Sequence, residues 1–504
     1  MQEEGQSRSY LIPLLLLYLL YSLGMPLWGV AVAGLWYFGL LYLEDSGSLD
    51  KLGVSRVLGI VLMIRTRHGQ DVLEKISRNR RFWRGFGEMS IWLCLFVMLG
   101  VVALLVLTAI STAMAPPEEY LPASDLLLIP GVNSFVPFWW PVLALVFALV
   151  IHEYSHGIQA RAHGMRVSSF GLLLAGPVPI GAFAEPQMHE MIRAPRRERM
   201  RLYAAGPSIN LLAAWLVLIL LSSTAANFET DYKGVHASHV IKDTGAEEAG
   251  LLPYETITHI DGVAVFDYDA FSEVMTAYSA GDSAMFSVLP SPFDDNQEPR
   301  RIEVLLTDRH FHYMLPCLES SDCDVEEYSQ ILANELGIHE GDAFVGIQVA
   351  EGTSAADIWS VAHNNDLSIT QRGLWLLTAP FFQAIGTPIL HDGHTMNLEQ
   401  RAMLTAGDGA IASTLGTEGM LALFDFLFWL VWINFLLGFA NLIPMVPFDG
   451  GHIVRDGTHS ILARLNRNMH PMRLEYLADR ISSMSSILVL IIVAVPIILP
   501  RMMG

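Results

Sequence analysis

Val150-Ile151-His152-Glu153-Tyr154-Ser155-His156 closes an uncharged, apolar stretch that begins at Pro130 and is long enough to cross a bilayer. On a helix, His152 and His156 stand one turn apart, so both imidazoles face the same way and can share one Zn²⁺. Glu153 lies beside them, placed to take a proton from water. Two imidazoles and a carboxylate near membrane depth are expensive, and such groups are functional candidates by default. The stretch therefore implies a helix, a metal, and hydrolysis of a peptide bond inside the membrane or at its edge.

Composition agrees with that setting. The 504 residues are 52% hydrophobic and 16% charged, with a mean hydropathy of +0.40. These values fit a polytopic α-helical membrane protein with one sizeable water-exposed portion. The net charge of −21 is uneven: between 229 and 366 the only Lys or Arg are Lys233, Lys242, Arg300, Arg301 and Arg309. Nucleic-acid binding is disfavoured, because this acidic portion would repel phosphate. Of three cysteines, Cys94 reads as a small core residue, while Cys317 and Cys323 could form one local bridge outside the cytosol.

Uncharged runs of spanning length occur at 11–43, 89–115, 130–151, 202–228, 426–448 and 481–500, about six spans. The first is too long for a signal segment and reads as retained membrane structure, either one tilted helix or a pair broken by Pro13, Gly24 and Pro26. A seventh run, 373–390, carries Pro380, Gly386 and Pro388 and reads as interfacial or re-entrant. Basic clusters at 65–84, 193–201 and 455–473 place those loops in the cytoplasm by the positive-inside rule, with the acidic region outside. The expected divisions are 1–129, N-terminal spans with a basic cytoplasmic loop; 130–228 and 419–457, two parts of a catalytic membrane core; 229–368, an extracytoplasmic domain; 369–418, interfacial or re-entrant; and 458–504, a basic cytoplasmic loop and last span.

The segment Phe170-Gly-Leu-Leu-Leu-Ala-Gly-Pro-Val-Pro-Ile-Gly-Ala-Phe-Ala184 is uncharged, too short to cross and too rich in Gly and Pro for a helix. It fits a β-hairpin loop at membrane depth, where only protein or a wet cavity can satisfy irregular backbone, or else an ordinary interfacial loop. From Gly234 the order is strand, short helix ending Ala249-Gly250-Leu251, strand 256–260, an Asp261-Gly262 turn, helix, and a later strand at 301–307. This resembles a PDZ domain, which captures an extended peptide by strand addition. It departs from the usual pattern at Tyr254-Glu255, where Gly followed by an acid is common. His310 and His312 sit two apart in an expected strand and read as exposed polar residues, with metal binding as the alternative.

A zinc hydrolase needs a third protein ligand and an open fourth position. The best candidate lies far downstream in Asn441-Leu-Ile-Pro444-Met-Val-Pro447-Phe-Asp449-Gly450-Gly451, where a Pro-broken end of an apolar run lets a carboxylate turn inward. Asp449 is that carboxylate. His-Glu-Tyr-Ser-His together with Asn-Leu-Ile-Pro-Met-Val-Pro-Phe-Asp-Gly resembles the site-2 protease family of intramembrane zinc metalloproteases, whose paired signatures are HExxH and NxxPxxxxDG. Both match without substitution. The resemblance spans most of 130–457, including Ala205-Gly206-Pro207-Ser208-Ile209-Asn210 and a re-entrant β-loop element at Gly181-Ala182-Phe183.

The resemblance implies one Zn²⁺ per chain held by His152, His156 and Asp449, with Glu153 as general base and Asn441 binding the substrate backbone. Asn210, Gly181 and Phe183 are further candidates, Asn210 being equally readable as a helix–helix hydrogen bond. It also implies a multi-pass protein of the cell membrane, surrounded by lipid bilayer. The implied substrate is a transmembrane segment of another protein, often one already clipped by a first protease. Two other readings stay open: a membrane metalloprotease of another family with a distal Glu ligand, and a non-catalytic PDZ-containing scaffold.

Overall fold

A computed structural model describes residues 11–22, 27–51, 53–57, 60–66, 69–115, 130–131, 133–176, 178–294, 298–320 and 323–503. The chain divides into two compact units, Met1–Leu216 with Trp429–Gly504, and Val217–Phe428. Among the described residues, five helices are long and apolar enough to cross a membrane: Arg80–Met114, Trp139–Ala162, Arg196–Ala225, Ala410–Asn441 and Pro471–Arg501. The bent pair Ile369–Ala379 and Phe382–Leu390, at 51°, would make a sixth. That architecture is consistent with a polytopic helical membrane protein.

Several boundaries differ from the apolar runs, each for a local reason. The histidine helix begins at Trp139 rather than at Pro130, because Gly131 is left-handed (φ 77) and Pro137 lacks an N–H to donate. It also runs on to Ala162, so His152–His156 lie well inside the helix rather than at its end. The first run is two helices, Leu11–Ser22 and Leu27–Asp45; the break expected at Gly24 and Pro26 lies outside the described residues. The run at 426–448 belongs to a helix that starts at Ala410, breaks at left-handed Gly416 (φ 65) and stops at Asn441. A tight turn with a cis Val446–Pro447 bond follows, then helix Asp449–Leu465. Gly450 and Gly451 are required there, since a β-carbon would come within 2.7 Å of the Ile443 carbonyl and 2.5 Å of the Val446 nitrogen.

In the first unit, 170–184 does form a hairpin, longer than its uncharged core. Strands β1 (Val54–Val57), β2 (Val61–Thr66), β3 (Val167–Ala175) and β4 (Val178–Pro186) make one antiparallel sheet in that order. The β1–β2 hairpin was not assigned from sequence. It pairs Leu62 with Leu174 and Thr66 with Phe170. Gly171 pairs with Phe183, whose ring occupies the space a β-carbon at 171 would need (2.0 Å). Phe170 stacks on Tyr154 of the histidine helix, with centroids 4.7 Å apart and planes 7° from parallel. The hairpin is thereby fixed to the helix that carries the metal-type motif.

The second unit holds β5 (Phe228–Thr230), β6 (Val235–Val240), β7 (Thr256–Ile260), β8 (Val263–Ala264), β9 (Ser283–Leu289), β10 (Arg300–Leu305), β11 (Thr307–Asp308), β12 (Ala343–Phe344), β13 (Ile347–Glu351) and β14 (Leu404–Ala406). The main sheet runs β10-β9-β7-β6-β13, with β8 on β7; β11 pairs with β12 and β14 with β5. Its apolar core is built from Val235, Ile257, Ile260, Phe286, Val288, Val304 and neighbours. Tyr254 sits at φ 64, a position glycine usually fills, and its hydroxyl accepts from Asn397 Nδ2 at 2.9 Å. Buried Glu255 is held by Arg300 (2.9 Å).

His310 and His312 are not in a strand. Asp308 caps helix Arg309–Glu319 by accepting from the Phe311 N–H, and the helix carries both histidines. His310 is buried against Ser329 Oγ (2.9 Å) rather than exposed, and His312 packs on Phe344 (4.9 Å). Cys317 and Cys323 are joined as a disulfide, with Cα atoms 5.3 Å apart.

Candidate metal centre

The i, i+4 spacing on helix Trp139–Ala162 turns His152 and His156 toward one point, their ring centroids 4.8 Å apart. Asp449 arrives as the first residue of helix Asp449–Leu465. Its Oδ2 lies 3.2 Å from His152 Nε2 and 3.3 Å from His156 Nε2. Four ligands around Zn²⁺ at about 2.0–2.1 Å in tetrahedral geometry stand roughly 3.3 Å from one another, so both distances from Asp449 match that ion, and all three ligand atoms lie within 4.8 Å of one another. Both histidines are buried, and the three are a group able to hold a metal ion.

The far side of each ring settles which nitrogen faces the centre. His156 Nδ1 lies 2.7 Å from the Leu202 carbonyl, which only accepts, so Nδ1 carries the hydrogen and Nε2 keeps its lone pair. His152 Nδ1 lies 2.5 Å from Asn210 Oδ1. Gly206 makes room: a β-carbon there would fall 2.4 and 2.6 Å from the two Nε2 atoms. No side chain larger than hydrogen fits beside the rings without moving them.

Glu153 is half-buried on the same helix, and its carboxylate accepts the Ala184 N–H at 2.7 Å. That bond ties the carboxylate to β4, whose outer edge has no strand partner among the described residues. Gly181 and Phe183 lie on the same strand, opposite Leu173 and Gly171. Asn441 does not join the group. Its Nδ2 donates to the Leu437 carbonyl of its own helix (3.0 Å). Asn210 does join it, through His152.

Sequence reasoning missed Asn434. It is fully buried, accepts from Asn210 Nδ2 at 2.9 Å and donates to the Leu430 carbonyl at 2.8 Å. The available signal was an amide within an otherwise apolar run, two turns before Asn441. It also missed Asp456, buried two turns after Asp449, which accepts from Arg196 (2.9 Å) and Arg199 (2.9 Å) of helix Arg196–Ala225. These pairs anchor the helix that presents Asp449.

Comparison with known proteins agrees with this chemistry. The description Peptidase family M50 matches residues 140–489. An uncharacterized protein of Methanocaldococcus jannaschii is 29% identical over 230 residues, covering 44% of this chain and 58% of that protein. A zinc-metalloprotease candidate of Campylobacter jejuni is 21% identical over 359 residues, 65% of this chain and 85% of the relative. Zinc metalloprotease Rip1 of Mycobacterium bovis is 25% identical over 360 residues, 62% and 82% respectively. The chain thus spans less than two thirds of the first relative's length and more than four fifths of the other two. The extent of the match and the His–His–Asp group lead to one conclusion: the chain belongs to peptidase family M50, the site-2 protease family, whose cofactor is zinc.

Proposed function

We propose that the protein is an intramembrane zinc metalloendopeptidase that hydrolyses peptide bonds within, or at the edge of, transmembrane segments of membrane-anchored proteins. The observation that carries this reading is that Asp449 Oδ2 stands 3.2 and 3.3 Å from the Nε2 atoms of His152 and His156, two buried histidines on a helix of membrane-spanning length. In this reading His152, His156 and Asp449 hold the ion through two Nε2 atoms and one carboxylate. Bound there, zinc supplies Lewis-acid polarisation of water and of a carbonyl oxygen. Glu153 takes the proton from the attacking water and passes it to the leaving amine. Asn441 is assigned to the substrate backbone, although its amide nitrogen is engaged within its helix and would have to turn.

A helical substrate shields its carbonyls, so it must open before attack. The free edge of β4 offers backbone partners for an extended chain beside Glu153. The antiparallel sheet of the second unit is read as a PDZ-like domain, proposed to be extracytoplasmic; a disulfide at Cys317–Cys323 supports an oxidising compartment. Substrates already shortened by another protease suit this arrangement.

The test is zinc content per chain in detergent, together with cleavage of a membrane-embedded substrate in liposomes. His152→Ala and Asp449→Ala are expected to lose zinc, and Glu153→Ala to keep zinc while losing cleavage. Equal processing by wild type and Glu153→Ala would overturn the mechanism.

A further inference from the structure

Asn434 lies fully buried on helix Ala410–Asn441, where an unpaired amide would be costly. Its own Nδ2 is committed to the Leu430 carbonyl (2.8 Å), which leaves Oδ1 facing Asn210. Asn210 spends its Nδ2 hydrogens on Asn434 Oδ1 (2.9 Å) and on the Ala148 carbonyl (3.0 Å). Only its Oδ1 remains for His152. An oxygen accepts and cannot donate, so His152 must carry its hydrogen on Nδ1 and present the lone pair of Nε2 to the centre.

The close approach that allows this is local. Gly438 sits one turn beyond Asn434, and a β-carbon there would be 3.1 Å from the Pro207 carbonyl and 3.0 Å from Leu211.

The two histidines reach the same tautomer by different means. His156 leans on a backbone carbonyl, which cannot turn around. His152 leans on a side-chain amide, which can. An inverted Asn210 would point an N–H at Nδ1, drive the ring hydrogen to Nε2 and block ligation. We propose that Asn434 is a positioning residue that, with the Ala148 carbonyl, locks the Asn210 amide, and so holds His152 in the tautomer able to bind metal. The inference rests on the zinc reading above, and its test separates the two.

The probes are zinc affinity, by competition with a chelator, and histidine ¹⁵N spectra of the metal-free full-length protein in detergent. His152→Ala assigns the His152 signals. Asn434→Leu is expected to weaken zinc binding about 10–100-fold, the usual cost of losing a partner behind a metal ligand. His152 should then lose part of its Nδ1–H signal while His156 keeps its own. Asn434→Asp, neutral when buried, can still accept from Asn210 and donate to Leu430, so it should behave like wild type.

The proposal is overturned if Asn434→Leu leaves both the zinc affinity and the His152 spectrum unchanged. It is equally overturned if the Leu and Asp variants lose zinc alike with both histidines perturbed, which would mark a merely structural residue. Should His152→Ala retain zinc at wild-type affinity, the metal-centre reading fails instead, and the ¹⁵N signals alone decide whether Asn434 sets the tautomer.

Discussion

The first unit buries Asn210, Asn434, Ser208 and Asp456, whereas the sheet of the second unit encloses Val235, Ile257, Phe286, Val288 and Val304. The first interior is specified by direction: each amide or carboxylate has a partner at 2.5–3.0 Å, and a reversed group is a wrong group. The second is specified by volume, and neighbouring side chains can partly close a gap. Damage should therefore be abrupt and functional in one region, graded and energetic in the other.

The largest effect should come from Glu153→Ala, with cleavage falling roughly 10²–10⁴-fold while zinc content and thermal stability hold. Liposome turnover beside metal analysis checks it, and simultaneous loss of zinc would blur the contrast. In the other interior, Phe286→Ala should cost about 3–5 kcal/mol in the second unit and leave zinc stoichiometry at wild type. Denaturant melts monitored by limited proteolysis of that unit would show it.

A third outcome concerns the polar exception in the second unit. His236 is fully buried and accepts from Gln400 Nε2 at 3.2 Å, and desolvation depresses its pKa to about 4 from its ordinary value of 6.5. Its neutral form is the folded form. The unfolded chain therefore takes up a proton first as pH falls, so this stability is fully present above about 6.5 and is lost toward 4. The change should be on the order of 3 kcal/mol and should vanish in His236→Phe. A pH-independent melt of the wild type would remove His236 from the comparison. Smallest is Ile302→Val, at about 0.5–1.5 kcal/mol, a single methylene in a core that grades its response. An abrupt collapse there would break the contrast itself.

How far the chain could be read follows the same division. His152, Glu153 and His156 lie within one helical turn, so their convergence is written in local spacing. Asp449 was legible only in combination, since Asp-Gly by itself most often marks a turn and its pairing with the histidine motif singled it out. Asn434 and Gly206 were not, since their roles depend on which helix lies opposite, and periodicity does not say. The β1–β2 hairpin escaped because its strands are only 4 and 6 residues long, too short for an alternating pattern to stand out. His310 and His312 were misplaced by a short alternation; Asp308, a good helix N-cap, was the better clue.

The bond from the Ala184 N–H to Glu153 gives β4 a fixed origin. Any extended chain aligned along that strand advances about 3.3 Å per residue, and a one-residue slip turns every side chain to the opposite face. Distance from the proton acceptor would then be counted in whole residues. If a substrate pairs there as proposed, such a ruler would select where a bond is cut by position rather than by the identity of the side chains flanking it.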